Sequence, residues 1–265
     1  MISVVIPMYN AENTIEYCLK SIHSQTFNGD IEVIVVDDKS VDNSIKVAEE
    51  VIDRFHRSNI SWQIVIHQCN MGVAVTRNSG LEKARGGFIA LLDSDDEWLP
   101  NKLERQMWMF EEYPEIDFLG CSRNNEQLVI LGKRIKTIHR ASVKELLIKM
   151  YPQTSTAIFK RKLYDSLGGY SPMRYGEDAD LWLRYCHKFN FYYSPESLVV
   201  TGGGKPNFGH SGLSSKLAEM QHGREIMLRN ALNSELISKR FFFFIFIYDK
   251  IKYVRRIFIT KFRTQ

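Results

Sequence analysis

Three carboxylates lie within four residues of the chain, at Asp93, Asp95 and Asp96. They directly follow an apolar run at 88–92, which is typical of a buried strand. Carboxylates this close repel one another at the dry end of a strand, and a divalent cation removes that repulsion. The pattern predicts that the cluster binds Mg²⁺ or Mn²⁺, with phosphate and water as the remaining ligands. The alternative is a solvated acidic turn in which Ser94 or Asp96 caps the next helix.

Residues that could contact a ligand also follow the first two apolar runs of the chain. They are Pro7, Tyr9, Asn10 and Glu12 after the first run, and Asp37 and Asp38 after the second. The first group offers a nucleoside a rigid turn, a stacking ring and polar groups. A carboxylate of the second group can accept the imide N–H of a uracil or bind a ribose hydroxyl. Its alternative role is to cap a helix that begins near Asp42.

Apolar runs alternate with helical patterns through the first hundred residues. Strands are predicted at 2–6, 31–36, 62–66 and 88–92, and helices at 11–25, 41–55 and 73–84. This alternation predicts a Rossmann-like α/β fold with a mostly parallel sheet covered by helices on both faces. Because ligands bind beyond the carboxyl ends of such strands, we expect the three polar groups to share one crevice.

The pattern is looser after Pro100. It predicts helices at 102–113, 143–151, 178–189 and 213–232, and strands at 117–121, 128–131, 154–159 and 192–200.

The four cysteines, Cys18, Cys69, Cys121 and Cys186, are scattered and predict buried, reduced thiols. The chain starts without a basic region or a long apolar run, and no stretch reaches the ~20 apolar residues that span a bilayer. We therefore expect a cytoplasmic protein.

Five motifs occur in order along the chain. They are Val4-Val5-Ile6-Pro7-x-Tyr9-Asn10, Val35-Val36-Asp37-Asp38-x-Ser40, Asn70-x-Gly72-x-x-x-x-Arg77-Asn78-x-Gly80, Leu92-Asp93-x-Asp95-Asp96-x-Trp98 and Gly176-Glu177-Asp178-x-Asp180-Leu181-Trp182. Jointly they resemble inverting family 2 glycosyltransferases of the bacterial surface-polysaccharide type, which have the GT-A fold. The resemblance covers about residues 1–200. It implies a nucleotide-binding half at 1–100 and an acceptor-binding half at 101–200.

The resemblance also implies roles for individual residues. The nucleotide-sugar donor would be held by Pro7, Tyr9, Asn10, Glu12, Asp37, Asp38, Arg77, Asp93 and Ser94. Asp95 and His210 would bind the metal, Trp98 and Glu177 would contact the acceptor, and Asp178 would be the general base. Three alternatives remain: Arg77 forms a salt bridge on its helix, the two acids at 177–178 cap theirs, and His210 is an ordinary loop histidine.

The C-terminal part of the chain is expected to differ from the rest. We predict a glycine-rich flap and a helix at 201–237, and an amphipathic tail at 238–265. Between Lys239 and Arg263 there are eight basic residues and one acid, Asp249, so this segment carries +7 and leaves −3 for the remainder of a chain of net charge +4. We expect this tail to lie on an anionic membrane surface. The alternative is a helix packed on the body or on a second subunit, as in a homodimer.

These patterns together predict one function and one serious alternative. We expect transfer of a hexose or N-acetylhexosamine from a UDP-sugar to a glycan on polyprenyl diphosphate, at the cytoplasmic face of the inner membrane, with no nucleic-acid partner. The segment 7–12 contains no glycine, which argues against a dinucleotide oxidoreductase. The alternative is a catalytically idle module of the same fold that binds a sugar nucleotide or glycan.

Overall fold

The computed structural model describes residues 1–202 and 216–263. Its strands are β1 (Ile2–Met8), β2 (Ile31–Asp37), β3 (Ile60–Ile66), β4 (Phe88–Leu91), β5 (Glu97–Trp98), β6 (Phe118–Arg123), β7 (Val129–Ile130), β8 (Lys133–Arg134), β9 (His139–Arg140), β10 (Ile158–Lys160) and β11 (Phe191–Val200). Its helices are α1 (Ile15–His23), α2 (Ser44–Arg54), α3 (Val73–Lys83), α4 (Lys102–Glu112), α5 (Val143–Ile148), α6 (Lys162–Leu167), α7 (Glu177–Lys188), α8 (Leu217–Asn233) and α9 (Lys239–Arg263).

The central sheet has the order β3-β2-β1-β4-β10-β6-β11-β5, and β9 pairs with β11 outside this path. Strands β3, β2, β1 and β4 are parallel, and β10 runs antiparallel to both β4 and β6. All seven residues of β1 and of β2 are buried, because helices cover both faces of this part of the sheet. The predicted mostly parallel α/β fold is confirmed.

Two apolar clusters lie on the two faces of the sheet. One includes residues of α1, α2 and α4, and the other includes residues of α3, α5, α7, α8 and α9. Helix α3 lies so close to the sheet that a Cβ on Gly80 would be 2.4 Å from Cγ1 of Val5. Helix α3 is thereby fixed on β1, with its first turn beyond the carboxyl ends of the strands, where the polar loops meet.

Two predictions made from the sequence hold only in part. The predicted strand at 154–159 is a short 3₁₀ turn at Thr154–Thr156 followed by β10. The turn forms because the Gln153 side chain accepts a hydrogen bond from the Ser155 N–H at 2.8 Å, which competes with an extended backbone. The thiol prediction holds for Cys18 and Cys121, whereas Cys69 is exposed on the loop after β3.

Helix α9 packs on the body through one face. Ile245 and Asp249 are buried there, so the packed-helix alternative describes this face correctly. No helix within residues 1–202 and 216–263 is long and apolar enough to cross a membrane. The predicted flap around 203–215, including His210, lies outside the described residues, and the proposed division into 1–200, 201–237 and 238–265 stays a prediction.

Candidate active site

A cleft lies beyond the carboxyl ends of β1, β2 and β4. Its volume is about 1160 Å³, which is at the upper end of the range of ligand pockets, ~300–1,000 Å³. Ten residues predicted from sequence line it: Pro7, Tyr9, Asn10, Asp38, Arg77, Asp93, Ser94, Asp95, Asp96 and Glu177. The fold therefore brings the three polar groups together with the first turn of α7.

The loop after β1 forms one wall of the cleft. Tyr9 is half exposed there, which leaves its ring accessible to a base. Asn10 has a φ of 48°, a conformation that asparagine adopts more readily than most residues. Its N–H donates to Ser40 Oγ at 2.9 Å, and its Oδ1 accepts from the Val41 N–H at 3.0 Å. Asn10 therefore joins the loops that follow β1 and β2.

Glu12 does not line the cleft. Its Oε2 accepts hydrogen bonds from the backbone N–H and the side-chain Nδ2 of Asn43, each at 3.1 Å. Asn43 immediately precedes α2, so Glu12 satisfies a donor at the start of that helix. The structure thus places Glu12 at a helix end, outside the lining of the cleft.

Asp38 is held by the loop that leads into α3. Its carboxylate accepts from the N–H groups of Met71 and Gly72, both at 2.8 Å, and contacts Nδ1 of His67 at 2.9 Å. Burial opposes ionisation of Asp38, but these hydrogen bonds outweigh it and lower its pKa. Asp38 is therefore an ionised, fixed residue at the floor of the cleft.

Asp37 is fully buried beside it. One of its oxygens accepts from the Ser40 N–H at 3.0 Å, and the other, Oδ1, has no hydrogen-bond partner among the described residues. Neither Asp37 nor Asp38 caps α2. Asp42 accepts from the Ser44 N–H instead, at 3.0 Å. The capping alternative for the pair is therefore wrong.

Arg77 connects the two sides of the cleft. Its Nη2 lies 2.7 Å from Asp93 Oδ1 and its Nη1 lies 3.0 Å from Glu177 Oε1, and the side chain is only 6% exposed. The guanidinium also lies over the Tyr170 ring, 5.2 Å from its centre. Burial disfavours the cation, but Asp93 and Glu177 raise the pKa of Arg77 well above its usual value. Arg77 therefore forms salt bridges with the loop after β4 and with α7, not along its own helix as the alternative had it, and its predicted contact with the donor stays a prediction.

Asp96 is buried and is fixed by three donors. Its carboxylate accepts from Ser155 Oγ at 2.5 Å, Gln153 Nε2 at 3.0 Å and the Gly202 N–H at 2.9 Å. Burial and the neighbouring Asp93 raise its pKa to about 7. Asp96 therefore joins the 3₁₀ turn before β10 to the segment that follows β11, so its oxygens are engaged in these hydrogen bonds and its predicted support of the metal stays a prediction.

A divalent cation fits the remaining carboxylates. Asp95 is exposed at the cleft and Asp93 lies beside it. Within the described ranges, no three His, Cys, Asp or Glu side chains are close enough to hold a metal by themselves. Mg²⁺ or Mn²⁺ bound to a nucleotide needs only one or two carboxylates, because phosphate and water supply the other ligands.

The predicted base and its neighbour occupy the first turn of α7. Gly176 precedes this turn with a φ of 77°, and Asp178 Oδ1 accepts from the Ala179 N–H at 2.7 Å. Burial raises the pKa of Asp178, and burial together with Asp178 raises that of Glu177 to about 7. Glu177 lines the cleft directly, and Asp178 follows it without contributing to the lining.

Trp98 lies in the core. It is 3% exposed, its indole N–H donates to the Ser155 carbonyl at 2.7 Å, and its ring contacts Nζ of Lys102, 3.9 Å from the ring centre. A buried indole needs a hydrogen-bond partner, and the turn before β10 provides it. This placement argues against the predicted contact between Trp98 and an acceptor.

Several cleft residues have no counterpart in the sequence-based prediction. They are Gln153, which also holds Asp96, and Arg123, Pro172, Met173, Arg174 and Thr201. Ser155 supports the cluster from outside the lining, because its Oγ accepts from the Asp93 N–H at 3.0 Å. Single residues in loops or at a strand end carry no periodic signal, so their sequence offered no means of finding them.

The fold and the cleft define an α/β protein of the GT-A type. The model of the glycosyl transferase family 2 matches residues 3–174, which is more than half of the chain. The chain belongs to that family.

Curated relatives show where similar chains are used. The chain is 33% identical over 193 residues to the amylovoran biosynthesis glycosyltransferase AmsE of Erwinia amylovora, covering 69% of each chain. It is 34% identical over 187 residues, 69% of this chain and 68% of the other, to the Escherichia coli UDP-Glc:alpha-D-GlcNAc-diphosphoundecaprenol beta-1,3-glucosyltransferase WfgD. Other relatives are longer, and the match spans 33% of YibD from E. coli K12.

A solved structure confirms the fold. S. aureus TarS 1–349 in complex with UDP-GlcNAc superimposes with a TM-score of 0.72 at 20% identity, covering 92% of this chain and 70% of that one. The mannosyltransferase PcManGT from Pyrobaculum calidifontis, in complex with GDP-Man and Mn²⁺, gives a TM-score of 0.66 at 19% identity, covering 88% and 64%. At these identities the likeness concerns the fold.

The Arg77 bridge generates the first prediction. Arg77→Gln removes the cation between two buried carboxylates, and we expect the free energy of unfolding to fall by about 3–5 kcal/mol. Arg105→Gln is the matched control, because it removes an ion pair with Glu196 in which both side chains are more than one third exposed, worth about 0–1 kcal/mol. Urea unfolding at pH 7 measures both. Equal losses in the two variants would contradict the bridging role of Arg77.

Proposed function

We propose that this protein is an inverting glycosyltransferase that moves a hexose or N-acetylhexosamine from a UDP-sugar to a lipid-linked glycan in bacterial surface-polysaccharide synthesis. The observation that carries the proposal is the cleft itself, in which Arg77 holds the strand-end carboxylate of Asp93 against the acidic first turn of α7. Family membership supports glycosyl transfer. The names of AmsE and WfgD support a polysaccharide product and an acceptor on a polyprenyl diphosphate.

The donor binds, in this proposal, along the ends of β1, β2 and β4. Tyr9 offers its exposed ring to the uracil base. Asp37 has a buried oxygen without a partner in the described ranges, and Asp38 lines the cleft beside it, so this pair is suited to receive a uridine N–H or hydroxyl. Asp93 and Ser94 then lie near the ribose or the sugar. The TarS complex with UDP-GlcNAc supports a UDP-sugar in this fold.

The acceptor is activated, in this proposal, by Asp178. Its ionised carboxylate takes a proton from an acceptor hydroxyl, whose oxygen attacks the anomeric carbon on the face opposite the diphosphate, and the C–O bond to the diphosphate breaks with inversion. The helix N-terminus favours the carboxylate form, whereas burial opposes it. Glu177 is fixed by Arg77 and lies at the cleft, so it is placed to contact the acceptor sugar.

The leaving diphosphate needs a positive partner. Both terminal nitrogens of Arg77 are already paired with carboxylates, which limits the charge that Arg77 offers to phosphate. A divalent cation at Asp95 would supply that charge and stabilise the diphosphate as the bond to the sugar breaks. The PcManGT complex with GDP-Man and Mn²⁺ supports such a metal in this fold. His210 stays a predicted ligand that lies outside the described residues.

A donor and acceptor assay tests the proposal. The protein is incubated with UDP-glucose, UDP-galactose, their N-acetyl forms and GDP-mannose, each with Mn²⁺ and an undecaprenyl-diphosphate-linked GlcNAc acceptor. Transfer or donor hydrolysis with a UDP-sugar supports the enzyme. Donor binding without turnover under all conditions would support the idle binding module instead.

Asp178→Asn is the direct test of the base. Because asparagine keeps the size of the side chain but accepts no proton, we expect kcat to fall by about 10²-fold or more, with UDP affinity within a few-fold of the wild type. Calorimetry with UDP and steady-state assays measure the two quantities. Turnover that survives the substitution would show that the base is misassigned.

The pH dependence has a defined sign. Because burial raises the pKa of Asp178, the base is lost at a higher pH than an exposed aspartate would lose it, and kcat falls as the pH drops through that raised value.

Asp95→Ala tests the metal ligand. We expect UDP-sugar binding to weaken by about tenfold in Mn²⁺ and to become insensitive to chelation, because the metal contributes charge that the protein alone lacks. Glu97→Ala is the matched control, since Glu97 is also an exposed acid two residues further on. Metal dependence that is unchanged in Asp95→Ala, or equally lost in Glu97→Ala, would refute this role.

Membrane contact is proposed for the outward face of α9. Exposed apolar side chains recur at helical spacing along this face: Phe243, Phe244, Ile247, Ile251, Val254, Phe258 and Phe262. The only acid of α9, Asp249, is buried and paired with Arg224, so the exposed charges of this helix are positive. A second copy of the helix would bring like charges together, whereas an anionic lipid surface complements them. This supports peripheral binding at the cytoplasmic face of the inner membrane.

A vesicle assay tests this contact. Ile247→Ser, Ile251→Ser and Val254→Ser are combined in one variant, which we expect to bind vesicles containing about one third phosphatidylglycerol at least tenfold more weakly than the wild type. Leu131→Ser, an exposed apolar residue on the loop between β7 and β8, is the control and keeps full binding. Equal sedimentation of all three proteins would contradict the proposal. A lipid-free mass that halves in the triple variant would assign the face to a homodimer.

A further inference from the structure

Helix α8 lies between the C-terminal helix and the acidic turn of the cleft. On one side it crosses the Tyr175–Gly176 turn at backbone distance, because a Cβ on Gly223 would lie 2.3 Å from the Tyr175 carbonyl oxygen. A Cβ on Gly176 would in turn lie 3.4 Å from the Gly223 carbonyl oxygen. Only glycine at 223 allows this approach, so the position of α8 sets the position of the turn from which α7 begins.

Arg224, the next residue, faces the other side. Its Nε lies 3.2 Å from Asp249 Oδ1, and its Nη2 donates to the Leu147 carbonyl at 2.5 Å. The second oxygen of Asp249 accepts from Gln221 Nε2 at 3.1 Å. The side chain of Arg224 is 13% exposed and that of Asp249 is 3% exposed. Asp249, the one acid of α9, therefore joins α9 to Arg224, the residue that follows Gly223.

Further contacts run from α8 to the start of α7. Asn230 Nδ2 donates to Asp180 Oδ1 at 3.2 Å, and the Tyr175 hydroxyl donates to Glu219. Burial lowers the pKa of Arg224, and the Asp249 and Asp178 carboxylates both oppose this. Helix α8 thus contacts the turn before α7 on one side and α9 on the other.

We propose that the buried Arg224–Asp249 ion pair is a positioning device, which fixes α8 against the Tyr175–Gly176 turn and so sets the position of Glu177 and Asp178. Removing one partner leaves a buried charge without its counter-charge, and α8 must shift to hydrate it. Because Gly223 contacts the turn directly, that shift moves the acids. The expected effect on kcat rests on the function proposed above, whereas the expected effect on the Tyr175–Gly176 turn does not.

Asp249→Asn is the first test, with Lys250→Gln as its matched control. Lys250 also joins α9 to α8, through Glu225 at 2.5 Å, but its side chain is 46% exposed. We expect amide hydrogen exchange within 176–183 to be about tenfold or more faster in Asp249→Asn, because this turn opens more often, and within about twofold of the wild type in Lys250→Gln. Equal exchange in both variants would overturn the proposal.

Kinetics separate positioning from stability. We expect Asp249→Asn to lower kcat by about tenfold or more with UDP affinity within about threefold, because misplacing a reacting group costs rate more than binding. A double variant, Arg224→Met with Asp249→Leu, removes both charges and recovers much of the melting temperature. In that variant kcat stays low if the pair positions the acids. Recovery of kcat together with the melting temperature would show a stabilising role alone and overturn the proposal.

The outcome for the proposed function is distinct. A wild-type protein that transfers no sugar from any donor would refute the function, and the exchange experiment would still decide the role of the ion pair because it uses no substrate.

Discussion

The buried guanidinium of Arg77 is the constraint on which the cleft depends. A cation that is nearly excluded from water is stable only when carboxylates and hydrogen bonds replace its solvation. Asp93 comes from the loop after β4 and Glu177 from the start of α7, so satisfying Arg77 fixes the acidic turn of α7 against the end of the parallel sheet. Helix α3, which carries Arg77, is in turn fixed on β1 by the close approach of Gly80. The position of the cleft walls therefore follows from one ion-pair network and one backbone contact.

The same network explains why the acids of the cleft have unequal roles. Burial raises the pKa of Asp96 and of Glu177 to about 7, and it also raises that of Asp178. Of these three acids Arg77 pairs directly only with Glu177, and the remaining negative charge would favour a divalent cation on this side of the cleft. The buried carboxylate of Asp96 is compensated by three hydrogen-bond donors instead, which makes Asp96 a structural residue. Asp95 stays at the solvent edge, where an additional cation and its water ligands have room.

Sequence patterns predicted the parallel half of the sheet well, because burial on both faces leaves continuous apolar runs that need no knowledge of distant residues. The rule that ligands bind at strand ends then correctly predicted that Asn10, Asp38 and Asp93 line one cleft, whereas Arg77 was assigned to it by the family resemblance. The failures share a cause. Trp98 stands in a motif beside the acids, yet its indole N–H is satisfied by a carbonyl of Ser155, more than fifty positions away in the chain. Such a partner leaves no local pattern, and neither does the Gln153 side chain that turns a predicted strand into a 3₁₀ turn.

Sequence patterns were also insufficient for the C-terminal helix, α9. Its sequence has apolar residues around most of the circumference, so periodicity could not distinguish a face packed on the body from a face left exposed. The single acid of α9 determines which of its faces packs on the body. A lone carboxylate among cations is the natural group to bury against Arg224, because its burial is compensated on α8 and the cations are left outside. The face opposite Asp249 is then both apolar and positively charged. One ion pair thereby orients the whole helix, with its inner side on α8 and its outer side left for the membrane contact proposed above.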